Sequence, residues 1–209
     1  MDRKGILLVV SGFSGAGKGT LMKELVSRYD NYALSISATT RSPREGEVDG
    51  REYFFRTKEE FEQMIADEAL IEHACYVGNY YGTPRAYVEE QLALGRDVIL
   101  EIEIQGALQI KKRFPDTLLL FVSTPDAETL KNRLIGRGTE SLDVVEKPLS
   151  RASEEAEGIE NYDYFIINDD LDTCVTQVHQ IIQGEHSRVS RNLELINTIK
   201  KDISKFQKG

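Results

Sequence analysis

The chain has 209 residues, a formal net charge of −9 and a hydrophobic fraction of 40%. This length is enough for one sizeable core, and the composition is that of an ordinary globular protein. A nucleic-acid-binding protein normally carries a basic excess, so the acidic balance argues against nucleic acid as a partner. No apolar run approaches the roughly 20 residues that span a bilayer, which argues against a membrane partner. Cys75 and Cys174 show no metal-binding or redox spacing, and they fit a reducing, cytoplasmic compartment.

Apolar runs alternate with helical patterns along the chain. A strand is predicted from Ile6, a helix from Gly17 to about Tyr29, and a second strand from Tyr32. Three more strands are predicted in "DVILEIEI", "TLLLFVS" and "YDYFIIN". Apolar strands that alternate with helices predict an α/β fold, with a parallel sheet covered on both faces.

The segment from about Ser35 to Leu94 is more polar and more hairpin-like than the rest. It contains the short helix "KEEFEQMI", the strand pattern "LIEHACYVGNYYG" and a helix in "PRAYVEEQLALG", which begins with proline and ends with glycine. We therefore predict a subdomain at residues 35–94, inserted into a core formed by residues 1–34 and 95–209.

The C-terminal stretch has apolar residues at helical spacing from Leu171 to about Phe206. This spacing predicts a packed helix, with Gly184 as the candidate break. The same helix could serve as a dimer surface, so the chain is expected to be a monomer or a homodimer.

The stretch "GFSGAGKGT" fits the phosphate-binding P-loop pattern up to its last position. Backbone N–H groups in such a glycine-rich turn surround a phosphate, and the following helix adds its N-terminal dipole. Lys18 places a positive charge near the β and γ phosphates. P-loops serve ATPases, GTPases and small-molecule kinases alike. The predicted phosphate-binding residues of this loop are Gly12, Ser14, Gly15, Ala16, Gly17, Lys18, Gly19 and Thr20. The motif identifies the ligand class, but it identifies neither the reaction nor the acceptor.

The predicted insertion carries a cluster of arginine and tyrosine side chains. Its members are Arg41, Arg44, Arg51, Tyr53, Tyr80 and Tyr81. Guanidinium groups bind phosphate oxygens in a bidentate fork, so the cluster predicts a second phosphate site. The alternative is a solvated charged loop.

Glu72 is a lone carboxylate in the mostly apolar strand pattern "LIEHA". A buried carboxylate needs a hydrogen-bond donor. Guanine presents N1–H and N2–H side by side on one edge, and adenine lacks that pair. A structural ion pair with an arginine explains Glu72 equally well.

Six blocks of the sequence resemble the guanylate kinase family in order and spacing, from Gly5 to about Arg191. They are "SGFSGAGKGT", "SATTRSPREGEVDGREYFF", "LIEHACYVGNYYGT", "EIEIQGA", "RLIGRGT" and "YDYFIINDDLD". The resemblance implies a P-loop parallel sheet core flanked by helices, an inserted mixed α+β GMP-binding subdomain, and a helical lid at about residues 137–157. It also implies transfer of the γ-phosphoryl group of ATP to GMP, and to dGMP, with Mg²⁺ as cofactor.

The resemblance assigns roles residue by residue. It places the adenine of ATP near Asn168, and it makes Lys18, Arg133 and Arg137 the catalytic cations. The residues that it assigns to GMP are Ser37, Arg41, Arg44, Tyr53, Glu72, Tyr81, Thr83 and Glu103. The attacking GMP phosphate is already anionic, so we expect positioning and charge stabilisation without a general base. The three histidines, His73, His179 and His186, are accordingly expected to be packing or surface residues.

Two departures from the family concern magnesium. Gly19 stands where most guanylate kinases place a serine that can ligate Mg²⁺, and the family usually has aspartate where this chain has Glu101 and Glu103. We expect phosphate oxygens and water to hold most of the Mg²⁺ coordination, with Thr20 or Glu101 in support. Glu101 and Glu103 are predicted to share one face of a strand. A structural pairing of one of them with an arginine is the alternative.

A third departure lies in the predicted lid, where Pro148 replaces an arginine that is usual in the family. Either Arg151 takes over the role of that arginine or the lid is impaired. Two other functions also remain open. A P-loop kinase acting on a phosphorylated sugar would leave Glu72 unexplained, and the complete "GAGKGT" argues against a non-catalytic guanylate kinase-like binding module.

Overall fold

A computed structural model of the chain describes residues 4–136 and 156–206. Most of the lid predicted at residues 137–157 lies outside the described residues, as do Arg137, Pro148 and Arg151. Among the described residues, no helix is long and apolar enough to cross a membrane.

The described residues form two sheets and flanking helices. The strands are β1 Leu7–Gly12, β2 Tyr32–Leu34, β3 Ala38–Thr39, β4 Phe54–Phe55, β5 Leu70–Tyr76, β6 Asn79–Pro84, β7 Asp97–Glu101, β8 Leu118–Ser123 and β9 Tyr164–Ile167. The α-helices are α1 Lys18–Arg28, α2 Lys58–Ala66, α3 Arg85–Ala93, α4 Ile104–Arg113, α5 Ala127–Ile135, α6 Leu171–His186 and α7 Leu193–Lys205. Short 3₁₀ helices occupy Ile159–Asn161 and Val189–Asn192.

The first sheet has five strands in the order β2-β7-β1-β8-β9, and every neighbouring pair is parallel. Its central strand β1 is buried on both faces. Leu8 and Val10 pack towards α1 and α6, whereas Leu7 and Val9 pack towards α3 and α4. Burial on both faces explains why the strands read as continuous apolar runs, and it confirms the predicted α/β class.

The second sheet has four strands in the order β4-β3-β6-β5. It is mixed, because β3 pairs in parallel with β4 and antiparallel with β6. Ala38, Phe61 and Leu70 form a small core of its own, covered by α2. Ile71 of β5 and Val88 of α3 pack instead into the core of the first sheet. The second sheet is thus held against the first, and the domain boundaries stay a prediction.

The strand predicted in "DVILEIEI" ends earlier than expected, at Glu101. Glu103 has an extended backbone and is the N-cap residue of α4, so the chain turns into a helix at Ile104. The expectation that Glu101 and Glu103 share one strand face is therefore wrong.

The C-terminal prediction is also wrong in two respects. Helix α6 runs through Gly184 to His186, and the break lies at residues 187–192. There Asn192 donates its side-chain amide to the carbonyl oxygens of His186 and Arg188, both at 2.8 Å. No residue of α7 is buried, so α7 is not the packed helix that the spacing predicted. A dimer surface on it stays a prediction.

Asp97 anchors the amino-terminal edge of the first sheet. It is only 1% exposed. Its carboxylate accepts hydrogen bonds from the Ile6 backbone N–H at 2.8 Å and from the Asn31 side-chain amide at 3.1 Å. The Nε2 atom of His186 lies 2.8 Å from Asp97 Oδ1. One side chain thus ties β7 to the start of β1 and to the end of α6.

We expect Asp97→Ala to lower the free energy of unfolding by about 1–3 kcal/mol, because the buried N–H of Ile6 would lose its acceptor. Urea denaturation measures the change. The control is Asp30→Ala at an exposed aspartate, which should shift stability by less than about 0.5 kcal/mol. Equal effects of the two substitutions would contradict the anchoring role of Asp97.

Candidate nucleotide-binding site

The P-loop lies between the end of β1 at Gly12 and the start of α1 at Lys18. Gly17 has φ +88°, a left-handed conformation that favours glycine, and it leads directly into the helix. The Lys18 ammonium folds back over the loop and donates to the carbonyl oxygens of Gly12 at 2.6 Å and Phe13 at 3.2 Å. The loop therefore combines a helix N-terminus with a lysine held beside it, which is the arrangement that binds phosphate.

Two distant side chains converge on the carbonyl oxygen of Ala16 in this loop. The Asn168 side-chain amide donates to it at 2.8 Å, and Arg133 Nη1 donates to it at 3.4 Å. Asn168 directly follows β9, and Arg133 lies in the last turn of α5. Asn168 is buried. The structure thus places Asn168 against the backbone of the P-loop, and its predicted contact with adenine stays a prediction.

The second sheet brings Arg41, Tyr53 and Tyr81 together. The Arg41 guanidinium lies 5.2 Å from the centre of the Tyr53 ring, and the rings of Tyr53 and Tyr81 meet edge to face at 6.1 Å. Glu47 accepts from the Arg41 guanidinium at 2.9 Å and from the Arg44 backbone N–H at 2.7 Å. Sequence reasoning missed Glu47, although a carboxylate three residues after Arg44 in "RSPREGEV" was the available signal.

Two members of the predicted cluster have other roles. The Arg51 guanidinium donates to Glu52 at 2.6 Å and to the carbonyl oxygen of Gly46 at 2.7 Å. Tyr80 stacks on Phe61 at 5.3 Å, within the small core of the second sheet.

Ser37 is half-buried and lies just before β3, where its carbonyl oxygen accepts from the backbone N–H of Phe54 at 2.9 Å. The role of its hydroxyl stays a prediction.

Glu72 on β5 is 5% exposed. Its Oε1 accepts from the hydroxyl of buried Thr83 at 2.8 Å. Burial raises the pKa of the Glu72 carboxyl to about 6, although the hydrogen bonds from Thr83 act to lower it. Among the contacts of residues 4–136 and 156–206, Glu72 forms no ion pair with an arginine, so the structural alternative for this carboxylate is not supported.

Helix α4 closes over the Glu72 carboxylate at Gly106. A Cβ atom placed on Gly106 would lie 3.1 Å from Glu72 Oε2 and 3.2 Å from Ile102 Cδ1. The missing side chain therefore leaves room for the carboxylate. Sequence reasoning assigned no role to Gly106, and a glycine in the first turn of a helix within "EIEIQGA" was the signal.

Glu101 lies at the exposed carboxyl end of β7. A Cβ atom placed on Gly19 would lie 3.8 Å from Glu101 Oε2. Burial chiefly raises the pKa of Tyr53, and the negative charge of Glu101 adds to that rise. Glu101 is thus close to Gly19 in the first turn of α1, and its charge acts on Tyr53. Thr20 and Glu103 are exposed.

The three histidines differ in their burial and contacts. His73 is exposed, His179 stacks on Tyr29 at 3.6 Å, and His186 lies against Asp97. Each therefore has a packing or surface position.

Comparison with known proteins identifies the family. A family model described as guanylate kinase matches residues 4–185. The chain belongs to the guanylate kinase family. A guanylate kinase of Bacillus anthracis is 53% identical over 191 residues, which cover 91% of this chain and 93% of that protein. A guanylate kinase of Streptococcus agalactiae serotype III is 47% identical over 206 residues, which cover 98% and 99% of the two chains.

A solved structure of another guanylate kinase has the same fold. The crystal structure of guanylate kinase from Anaplasma phagocytophilum is 30% identical to this chain and superimposes with a TM-score of 0.74, covering 90% of this chain and 89% of that one. The family resemblance in the sequence blocks is thereby confirmed.

The raised pKa of Glu72 predicts a pH dependence of stability. The folded-state pKa of about 6 exceeds the ordinary value of 4.5, so the folded protein binds this proton more tightly than the unfolded chain. The resulting stabilisation is fully present below pH 4.5 and is lost as the pH rises through about 6. Between pH 4 and pH 7.5, wild type should therefore lose about 2 kcal/mol more unfolding free energy than Glu72→Gln.

Denaturant titrations of both proteins across this range measure the difference. Glu59→Gln, at an exposed position of α2, is the matched control and should follow wild type. Parallel pH profiles for wild type and Glu72→Gln would contradict the raised pKa.

Proposed function

We propose that this guanylate kinase family member binds ATP at the P-loop and GMP at the second sheet, and that it transfers the γ-phosphoryl group between them to give ADP and GDP. The observation that carries the proposal is the buried carboxylate of Glu72. It belongs to the second sheet, as does the cluster of Arg41, Tyr53 and Tyr81. A phosphate cluster alone would fit many phosphorylated compounds. A buried acceptor beside it fits a base edge that presents two N–H donors, and guanine has that edge.

In this proposal, the two halves of GMP are recognised separately. Glu72, held by Thr83, accepts from guanine, with Ser37 in support. Arg41, Arg44, Tyr53 and Tyr81 hold the GMP phosphate. Because these contacts are to the base and the phosphate, dGMP is also proposed as an acceptor. Glu47 already pairs with Arg41, so it keeps the guanidinium in place before the phosphate arrives.

The proposed chemistry needs positioning and positive charge but no general base. An anionic oxygen of the GMP phosphate attacks the γ-phosphorus of ATP, and the bond between that phosphorus and the bridging oxygen of ADP breaks. Lys18 and Arg133 lie beside the P-loop and stabilise the negative charge on the transferred group. Arg137 is proposed for the same role by family resemblance.

The residues present fit a magnesium ion accompanying ATP. Glu101 supplies a carboxylate next to the position of Gly19, and Thr20 supplies a hydroxyl in the first turn of α1. Because Gly19 has no hydroxyl, Glu101, Thr20 and the phosphate oxygens would hold the ion, which would neutralise phosphate charge. Glu103 is an N-cap residue and is proposed to face GMP rather than the metal.

We also propose a cytoplasmic location and no nucleic-acid or membrane partner. Support comes from the two free cysteines, Cys75 and Cys174, which fit a reducing compartment. The acidic balance of the chain supports the partner assignment. The active unit is proposed to be a monomer or a homodimer.

An acceptor panel tests the function. We expect ADP production from ATP with GMP, and at least tenfold less with AMP, CMP, UMP or a sugar phosphate, each measured at the same concentration in a coupled assay. Preference for a sugar phosphate would favour the phosphorylated-sugar kinase. Failure to bind ATP at all would favour a non-catalytic binding module.

The role of Glu72 has a separate test. Glu72→Gln should raise the KM for GMP about 5- to 150-fold, because the amide places a donor where guanine also donates; this range corresponds to about 1–3 kcal/mol. The KM for ATP should stay within about twofold of wild type. Glu59→Gln is the control and should leave both constants unchanged. An equal rise of both KM values would show that Glu72 acts only through the fold.

A further inference from the structure

Asn168 is a buried residue that contacts the backbone of the P-loop. The residue is 5% exposed, and its backbone N–H donates to the carbonyl oxygen of Ser123 at 2.8 Å. The residue is thus fixed between the carboxyl ends of β8 and β9. From there its amide group reaches the carbonyl oxygen of Ala16 at 2.8 Å, across 152 residues of sequence.

The bond from Asn168 controls the direction of one peptide in the loop. In a trans peptide, the C=O and N–H groups point in opposite directions. When the carbonyl of Ala16 is held towards Asn168, the N–H of Gly17 must point away from Asn168. Gly17 immediately precedes α1, where free N–H groups bind phosphate oxygens.

The fit between Asn168 and Gly17 is close. A Cβ atom placed on Gly17 would lie 2.6 Å from Asn168 Nδ2, so the amide occupies the space that any other residue at position 17 would need. Arg133 also reaches the carbonyl of Ala16, but at 3.4 Å and from a half-buried position. Asn168 therefore supplies the shorter and more deeply buried of the two bonds.

We propose that Asn168 is a positioning residue for phosphate binding, which acts by holding the Ala16–Gly17 peptide with its N–H directed at the phosphates of ATP. The inference rests on the proposed binding of ATP at the P-loop. It differs from a contact with adenine, because it assigns Asn168 to the phosphate chain through the backbone of the loop.

Inorganic tripolyphosphate separates the two roles, because it has the phosphate chain of ATP without the nucleoside. Asn168→Ala should raise the inhibition constant of tripolyphosphate, measured in competition with ATP, about tenfold. It should raise the KM for ATP by the same factor and leave the KM for GMP unchanged. Asn197→Ala, at an exposed position of α7, is the matched control and should leave all three constants unchanged.

Asn168→Asp is a second variant of nearly the same size. An ionised carboxylate cannot donate to the carbonyl of Ala16, whereas a protonated one can. Tripolyphosphate affinity of this variant, relative to wild type at the same pH, should be at least tenfold reduced at pH 8 and should recover as the pH falls towards 5. This recovery would exclude a loss of packing as the whole cause, because a loss of packing alone would not depend on pH.

Three results would overturn the inference. Unchanged tripolyphosphate inhibition with a raised KM for ATP would assign Asn168 to the nucleoside, and unchanged constants for ATP and tripolyphosphate would remove its role. A wild-type protein that does not turn over ATP would contradict the proposed function itself, and the inference with it. The first two results, obtained with a wild-type protein that turns over ATP and is inhibited by tripolyphosphate, would contradict the inference alone.

Discussion

The parallel order of the first sheet is the constraint on which the site depends. Because all neighbouring strands run in the same direction, their carboxyl ends meet at one edge. The P-loop follows β1 at this edge, Glu101 ends β7 and Asn168 follows β9. The strand order places β1 between β7 and β8, so residues from distant parts of the sequence come within reach of one loop. The buried bond from Asn168 to Ala16 is the direct result.

An acidic chain that binds two nucleotides must create positive potential locally. The net charge of −9 gives no general attraction for anions. In the proposed function, a helix N-terminus and Lys18 supply this potential at the P-loop, and Arg41 and Arg44 supply it at the second sheet. Glu47 pairs with Arg41 and so compensates the charge of this guanidinium within the protein.

Glu72 shows how a buried carboxylate can oppose stability. Its burial raises the pKa of its carboxyl to about 6, so near neutral pH the folded protein carries the destabilising desolvation of a charge that Thr83 only partly compensates. A ligand that donates two hydrogen bonds would supply the missing compensation. Gly106 leaves the space that this carboxylate occupies, so the packing of α4 on β5 helps to set the surroundings of Glu72.

The sequence by itself determined the α/β class, the P-loop and the family. Alternating apolar runs, a glycine-rich turn before a helix and blocks such as "SATTRSPREGEVDGREYFF" are local patterns, and each can be recognised without knowing its neighbours in space. Only the tertiary structure decided that β7 ends at Glu101 and that α6 continues through Gly184. It also decided that Arg51 and Tyr80 contact residues outside the predicted arginine–tyrosine cluster. It also decided that Asn168 holds Ala16 and that Gly106 makes room for Glu72. These outcomes depend on contacts between residues far apart in the chain, and no periodicity or motif in a single sequence encodes which distant atoms compete for the same space or the same hydrogen bond.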